Sequence, residues 1–443
     1  MKYLLLLLAL PVTAVFGQKS VLDEYVATAF QQNITLQQKS IQVEKAMIAL
    51  KTAQSLYQPT VAFQGGYQTG EGGRSIAFPV GDLLNPVYST LNALTKSAAF
   101  PQIANVETNF FPRDFYDVKV QTSMPLYNKD ISYNKQIQEQ SIGLQREDVS
   151  LYKRELVKQI KTAYFQYLLS LGLQKVYENA LNLAVEGKKV NEKLLANGKG
   201  LPAYLLRSDS EIANIQAQMA DAAKQSQAAQ MYFNFLLNRE LRTEIRIDFE
   251  VEKALAAVYT ITPGAREELS LLSKSIQIQE TVLKMNESFY LPKLNGFVNL
   301  GSQSTLGNIT SKSGYYFLGL QMDIPIFSGK RNLYKVKQTQ LDIASAKNAY
   351  DLSSKQFNMA AEIAQKNVQS SLVSFQASTK SYEAASAYLR LIEKGYKEGV
   401  STYLETVDAR NQWMNATINY QLKQFNVLIA AAAYEREAAS YPL

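Results

Sequence analysis

Residues able to carry catalysis or bind a metal are scarce in this sequence. The chain contains no cysteine and no histidine. This excludes thiol nucleophiles, cysteine-ligated metals and catalytic triads that use an imidazole base. Lysine, tyrosine, aspartate and glutamate remain, but they form no recognisable catalytic constellation. We therefore expect no enzyme and no metal or cofactor site, and the function has to follow from the elements that the chain builds.

The N-terminus predicts export from the cytoplasm. A basic start at Lys2 precedes the apolar run 4–9, Pro11 interrupts that run, and 15–17 ends in a small residue. This is the pattern of a secretory signal peptide over 1–17, and its apolar run is too short to span a membrane as a helix. The lack of cysteine also excludes a lipoprotein anchor.

The charges of the chain are distributed rather than clustered. Lysine and arginine outnumber aspartate and glutamate by 46 to 39, for a formal charge of +7. Without a basic block, these charges are typical of solvated helix faces and argue against a nucleic-acid partner. After the signal peptide, the longest purely apolar stretch is 427–433, which is too short for a transmembrane helix.

Two tandem repeats organise the rest of the chain. Three sets of markers recur in the same order: 55–59 at 288–292, 118–127 at 318–327, and Gly200, Tyr204-Leu205 and Asp209 at Gly399, Tyr403-Leu404 and Asp408. Their spacing indicates roughly 33 extra residues in the first repeat, within 69–113. We divide the chain into a first repeat over 18–239, an inter-repeat segment over 240–263 and a second repeat over 264–443.

Each repeat contains two short segments that alternate between apolar and polar residues. The four segments lie around 60–67, 116–124, 294–300 and 316–324. Alternation predicts strands with one apolar and one more polar face. A soluble sheet and a lipid-facing barrel both fit this pattern. Four strands are too few to close a barrel, so the chain would have to combine its strands with those of other copies.

Each repeat also predicts a hairpin of very long helices. The segments 129–197 and 329–395 contain no proline. A helix of about 67 residues is roughly 100 Å long. Apolar residues recur at helical spacing, for example at Leu156, Ile160 and Tyr164. Helices of this length indicate coiled-coil packing rather than one compact domain.

This combination resembles the TolC family of outer-membrane efflux proteins. The most specific fragments are YLPKL at 290–294, MDIPIFSG at 322–329 and GYKEGVSTYLETVDA at 395–409. The resemblance covers essentially the whole mature chain. It implies an α+β membrane protein in which three protomers each give four strands to a twelve-stranded barrel and long helical hairpins to a periplasmic tunnel.

The resemblance also implies a function and partners. The protein would be the outer-membrane exit duct of a tripartite efflux or type I secretion system in a Gram-negative bacterium. A homotrimer would sit in outer-membrane lipid, contact a periplasmic adaptor and act indirectly with an inner-membrane pump. The segment 69–113 would be an outer-surface loop that folds over or fills the barrel mouth. The segment 240–263 would form a belt around the tunnel together with the C-terminus.

The resemblance places the hairpin tips and a gate. The turns at Gly200-Leu201 and Gly399-Val400 would contact the adaptor, with a glycine in each turn ending the preceding helix. Glu405 and Asp408 match two acidic residues that form a ring at the narrowest point of the pore. Their i, i+3 spacing puts both on one helix face, and three copies would favour cations. The alternative for Glu405 is a capping box with Thr402.

Tyr396, at the second hairpin tip, matches the family pattern, but the residues at its partner positions do not. Tyr396 matches a residue that helps to hold the tip closed. Ser401 and Leu206 replace the arginine and aspartate that partner it in some members. We therefore expect other contacts to hold the closed tip.

Two rival functions fit part of the sequence. A periplasmic coiled-coil structural protein would explain the helices and the signal peptide, but not four alternating strands at repeated positions. A self-sufficient pore would explain the strands, but not the long helices beside so few of them.

Overall fold

The computed structural model describes residues 20–109 and 114–443. The predicted signal peptide over 1–17 lies outside these residues. The chain forms two compact units. We call the first, with residues up to Ala46, Gln140–Ile278 and Asp342–Leu443, the helical unit; we call the second, with Met47–Glu139 and Gln279–Leu341, the sheet unit.

Nine α-helices account for most of the described chain. They are α1 (Val21–Gln32), α2 (Ile34–Ser55), α3 (Val80–Thr95), α4 (Lys129–Ala196), α5 (Pro202–Leu236), α6 (Val251–Ala257), α7 (Glu267–Glu287), α8 (Arg331–Lys397) and α9 (Tyr403–Glu437). Short 3₁₀ turns follow α6 and α7 at Val258–Thr260 and Ser288–Tyr290. The two longest helices, α4 and α8, have 68 and 67 residues, so each is about 100 Å long at 1.5 Å per residue.

Six strands lie within the described residues. They are β1 (Thr60–Gln68), β2 (Ser75–Phe78), β3 (Val106–Asn109), β4 (Phe115–Tyr127), β5 (Lys293–Thr305) and β6 (Gly314–Asp323). The four strands predicted from alternation form one antiparallel sheet in the order β1-β4-β5-β6. The expected α+β class, with four strands in one sheet and very long helices, is therefore confirmed.

The register of this sheet separates an apolar face from a polar one. Phe63 pairs with Val120, Val120 with Leu300, and Leu300 with Tyr316, so these four side chains share one face. The neighbouring row, Gln64, Lys119, Gly301 and Tyr315, lies on the other face. Opposite residues on adjacent strands project to the same side, so the alternation seen in the sequence becomes two continuous surfaces.

Phe297 and its neighbour Phe317 are large apolar residues on the polar face. Their rings lie 5.8 Å apart, centroid to centroid. Phe297 also lies over Gly319, where an added Cβ would come within 2.5 Å of the Phe297 ring. Phe297 is therefore accommodated by a glycine on the neighbouring strand.

The main hydrophobic core belongs to the helical unit. It joins residues of α1, α4, α5 and α9, among them Val26, Leu156, Tyr164, Phe233 and Leu428. The stripe predicted on α4 from helical spacing is buried at Leu156, Val157, Ile160, Tyr164 and Tyr167. A second cluster packs Ala364 and Val368 of α8 against α9.

The inter-repeat segment packs onto this core. The Tyr164 hydroxyl donates to the Arg246 carbonyl at 2.8 Å, and the Arg246 amide donates to the Tyr25 hydroxyl at 2.9 Å. Ile245 is buried beside them. The end of the segment meets the C-terminus, where the Gly264 amide donates to the Ala438 carbonyl at 2.7 Å.

The extra segment of the first repeat has secondary structure of its own. β2 and β3 pair as a separate two-stranded sheet, and α3 lies between them in the sequence. Within residues 20–109 and 114–443, no helix combines the length and apolar character needed to cross a membrane.

Candidate functional site at the hairpin tips

The first hairpin tip joins α4 to α5. Gly198 takes the left-handed conformation, with φ of 71°, and the Lys199 amide donates back to the Leu194 carbonyl at 2.9 Å. The expectation that Gly200 supplies this conformation was wrong. Gly200 is needed for a different reason, because an added Cβ would lie 2.7 Å from the Leu195 amide nitrogen. Pro202 then begins α5, where its missing amide hydrogen is tolerated.

The second hairpin tip joins α8 to α9. Here Gly399 does take the left-handed conformation, with φ of 79°. The amides of Val400 and Ser401 both donate to the Gly395 carbonyl, at 2.8 and 3.1 Å. Backbone bonds thus close the turn, and the side chain of Val400 remains 81% exposed.

Glu405 caps the helix that leaves this turn. The Thr402 hydroxyl accepts from the Glu405 amide at 3.2 Å, and the Glu405 carboxylate accepts from the Thr402 amide at 2.6 Å. This is a complete capping box. Hydrogen bonds from the Thr402 backbone and side chain lower the pKa of the Glu405 carboxyl below its ordinary value. The carboxylate is therefore charged at neutral pH and oriented by the helix start.

The first turns of α9 have a buried side and an exposed acidic side. Tyr403, Thr406 and Val407 are buried, whereas Glu405 and Asp408 are exposed. Among the described residues, no group of three or more histidine, cysteine, aspartate or glutamate side chains is arranged to hold a metal ion.

The two hairpins differ at the positions that the repeat makes equivalent. The first hairpin carries Leu206 where the second carries Glu405, and Asp209 where it carries Asp408. Asp209 forms an ion pair with Lys188 at 2.6 Å, whereas Asp408 accepts a hydrogen bond from Gln412 at 2.7 Å. At these equivalent positions, only the second hairpin therefore presents two carboxylates without a basic partner among the ion pairs described.

A chain of buried hydrogen bonds connects the two hairpins. The Tyr396 hydroxyl donates to Asn191 Oδ1 at 2.7 Å, and Asn191 Nδ2 donates to Ser208 Oγ at 3.1 Å. Ser208 Oγ lies 2.8 Å from the Tyr403 hydroxyl. We call these four residues the tip cluster. They come from α8, α4, α5 and α9 in turn, so all four helices of the tips are joined.

Three residues of the tip cluster are buried, and Tyr396 is half-buried. Asn191 and Ser208 are 2% and 1% exposed. The ring of Tyr204 packs 4.9 Å from that of Tyr403, centroid to centroid. Burial raises the pKa of the Tyr396 and Tyr403 hydroxyls, so both remain protonated and available as donors at neutral pH.

Sequence reasoning identified Tyr396 but missed its three partners. A polar residue on a long helix is usually solvated, and nothing local marks Asn191 or Ser208 as buried. The available signal was the repeat, because Tyr204 and Tyr403 occupy equivalent positions and contact each other. Ser401 and Leu206 lie outside the tip cluster: Ser401 lies against Gly395, and Leu206 is 74% exposed.

A second polar group lies next along the hairpins. The Arg410 guanidinium covers Gly187 so closely that an added Cβ would displace it, and its Nε lies 3.5 Å from a Glu393 carboxylate oxygen. Burial raises the pKa of the Glu211 carboxyl, although Arg410 and Arg207 act in the opposite direction. This group again joins α4, α5, α8 and α9.

Comparisons with known proteins agree with this architecture. The family model described as outer membrane efflux protein matches residues 256–436. The outer membrane protein TolC of Salmonella enteritidis is 23% identical over 200 residues, which is 41% of each chain. TolC of Escherichia coli strain K12 is 20% identical over 322 residues, 66% of this chain and 64% of that relative. The chain thus spans less than two thirds of either relative.

A solved structure shows the fold over nearly the whole length. The outer membrane protein VceC of Vibrio cholerae superposes with a TM-score of 0.71 at 12% identity, covering 95% of this chain and 96% of that one. The matched family model, the TolC relatives and the shared fold together show that the chain is similar to the TolC-like outer membrane efflux proteins.

Proposed function

We propose that this protein is the outer-membrane exit duct of a tripartite efflux or type I secretion assembly. Substrates would pass through it passively, from a periplasmic adaptor and an inner-membrane pump to the exterior. The observation that supports this best is the four-stranded sheet, which is too small to close on itself and is joined to very long helical hairpins.

The sheet favours assembly from several copies. Within the described residues, β1 and β6 are edge strands, and unpaired edges are sites for pairing with another chain. A barrel in the outer membrane needs at least eight strands. Three copies supply twelve, with β1 of each copy pairing with β6 of the next. The apolar face, with Phe63, Val120 and Leu300 exposed, would then face lipid.

The helices would continue this barrel as a periplasmic tunnel. Each copy contributes the hairpins α4–α5 and α8–α9. The turns at Gly200-Leu201 and Gly399-Val400 would contact the adaptor, and the exposed side chains of Leu201 and Val400 offer apolar contact area there.

Glu405 and Asp408 would line the narrowest point of the tunnel. Both are exposed on the side of α9 that faces away from the tip cluster. Three copies would bring six carboxylates around one axis, and a ring of acidic side chains favours cations. The tip cluster, including Tyr396, would hold this constriction closed from within each copy.

The test begins with the native mass of the mature protein extracted in detergent from the outer-membrane fraction. A trimer supports the shared barrel, whereas a monomer stable in detergent contradicts it. The second step measures cation selectivity in planar bilayers. Asp408→Asn should reduce selectivity, and the matched control Asp209→Asn on the first hairpin should leave it unchanged. Equal effects of the two substitutions would contradict the assigned ring.

A further inference from the structure

Two asparagines of α3, the helix between β1 and β4, form paired hydrogen bonds with the backbone of the chain that follows the helix. Asn85 Nδ2 donates to the Ile103 carbonyl and Asn85 Oδ1 accepts from the Ile103 amide, both at 2.9 Å. Asn92 makes the same two bonds with Phe100, at 2.7 and 3.1 Å. The asparagines are seven residues apart, so they lie on one face of the helix, two turns apart.

The start of α3 is fixed in the same way. Asn105 accepts from the Asp82 amide at 3.1 Å and donates to the Asp82 carboxylate at 2.9 Å. Gly81 is buried against the returning chain, where an added Cβ would lie 2.5 Å from the Ile103 carbonyl oxygen. The helix therefore cannot rotate about its axis, and its opposite face is held outward.

That outward face is apolar and uncovered. Leu83, Leu84, Val87 and Leu94 are exposed, Leu94 by 76%, and Leu91 between them is half-buried. We call these five residues the α3 face. The only charged residue of the helix is Asp82, which is bound to Asn105. A helix that binds anionic lipid headgroups carries lysine or arginine, so the composition favours a protein partner.

The point at which the segment between β1 and β4 leaves the sheet indicates which protein surface covers the α3 face. The segment leaves from the end of the edge strand β1. The loop 306–313 between β5 and β6 lies at the same end of the sheet, since Phe115 pairs with both Gln68 and Thr305. Leu306 and Ile309 of this loop are exposed. If β1 of one copy pairs with β6 of the next, about 4.8 Å apart, the neighbouring copy's loop lies beside the exit of β1.

We propose that the α3 face of each copy packs against the β5–β6 loop of the adjacent copy, at Leu306 and Ile309. Five side chains are far fewer than the roughly 20–30 residues a side of a stable interface. The contact would therefore not hold the copies together by itself. It would extend the proposed β1–β6 pairing between copies beyond the outer ends of the strands. This inference rests on the proposed function, because it requires a ring of copies.

Disulfide formation between copies tests the contact. The chain has no cysteine of its own, so every disulfide must join the introduced residues. The double variant Val87→Cys with Ile309→Cys should give covalent dimers and trimers after mild oxidation, seen on a non-reducing gel. The control pairs Ile309→Cys with Ala93→Cys, because Ala93 is exposed on a different side of α3. Equal products from both pairs, or a bond formed only within one copy, would overturn the proposal.

A second measurement does not depend on cross-linking. Leu83→Gln with Val87→Gln should lower the temperature at which the detergent-extracted trimer dissociates, while Ala93→Gln should not. A trimer that is unaffected by the double substitution overturns the contact but leaves the proposed duct intact. A monomeric parent protein overturns both. If a fluorophore on the thiol of Val87→Cys is quenched by brominated lipid in reconstituted vesicles, the α3 face is covered by lipid instead.

Discussion

The polar residues of the tip cluster connect local hydrogen bonding to the proposed closing of the tunnel. In the tip cluster, each side chain both fills a position between helices and completes a hydrogen bond that its neighbour needs. A buried donor or acceptor without a partner costs about 1–3 kcal/mol. The cluster therefore favours the arrangement in which the second hairpin stays against the first.

Removing one hydroxyl should weaken this arrangement without changing the packing. Tyr396→Phe keeps the ring but leaves Asn191 Oδ1, which accepts at 2.7 Å, without that donor. We expect the closed state to lose about 1–3 kcal/mol, so that single-channel conductance in planar bilayers rises. Tyr204→Phe is the control, since it removes a hydroxyl from the same aromatic group but outside the chain of hydrogen bonds. An unchanged conductance in Tyr396→Phe would show that the cluster does not hold the tip.

Glu405 combines a structural role with a proposed electrostatic one, and two substitutions separate them. Glutamine at this position can still complete a capping box, so Glu405→Gln should keep thermal stability while reducing cation selectivity. Glu405→Ala should reduce selectivity as well and also lower stability by about 1 kcal/mol. Thermal unfolding and reversal potentials in a salt gradient measure the two effects. If both variants retain full selectivity, Glu405 serves only as a cap.

At the scale of elements, the sequence predicted the strands and helices that follow from a local pattern of apolar and polar residues. Alternation located the four strands, and helical spacing located the stripe from Leu156 to Tyr167 that α4 buries. The structure of 69–109 was not predicted, because α3 is fixed by side-chain bonds from Asn85 and Asn92 to the backbone of the chain that follows the helix, and no local pattern marks such bonds. The left-handed residue of the first tip was missed for a related reason. Two glycines, Gly198 and Gly200, are close together there, and the end of the helix decides which one takes the left-handed conformation.

A group of ion pairs joins three helices near the C-terminus. Arg266 contacts Glu268 and Glu437, each at 3.0 Å. Arg436 contacts Glu268 and Glu155, also at 3.0 Å. Burial tends to raise the pKa of the Glu268 carboxyl, but hydrogen bonds from Arg266 and the nearby charges outweigh it, so that the pKa is lowered overall. The ends of α7 and α9 are thus tied to α4 through charged groups that are largely buried.

This lowered pKa predicts how stability depends on pH. A carboxyl whose folded pKa lies below its unfolded pKa stabilises the fold above the unfolded pKa, and this contribution is lost as the pH falls through the folded value. Glu268→Gln should therefore destabilise the protein by roughly 3 kcal/mol at pH 7, and the difference from the parent should shrink below about pH 4. Apparent melting temperatures from pH 7 to pH 3 measure this.

Glu383→Gln is the matched control for that series. It breaks the exposed pair with Lys380, and exposed pairs contribute only about 0–1 kcal/mol. A Glu268→Gln variant that melts like Glu383→Gln at pH 7 would contradict the structural role of the buried group.

At the scale of the whole molecule, the two repeats depend on each other for their folded structure. The sheet joins them at its centre, where β4 of the first repeat pairs with β5 of the second over almost their whole length. The core of the helical unit joins them again, since Phe425 and Leu428 of α9 pack with residues of α1, α4 and α5. Neither half contains a complete sheet or a complete core.

This dependence predicts the behaviour of a divided chain. A break after Pro263 lies in an exposed stretch that follows the 3₁₀ turn Val258–Thr260. Neither half alone should reach the membrane fraction as a stable oligomer, because each would expose both its central strand and its part of the core. The two halves exported together should restore the native mass of the undivided protein, since the long β4–β5 pairing and the shared core can re-form without the connecting peptide bond. A membrane-resident oligomer made by the first half alone would show instead that one repeat suffices for assembly.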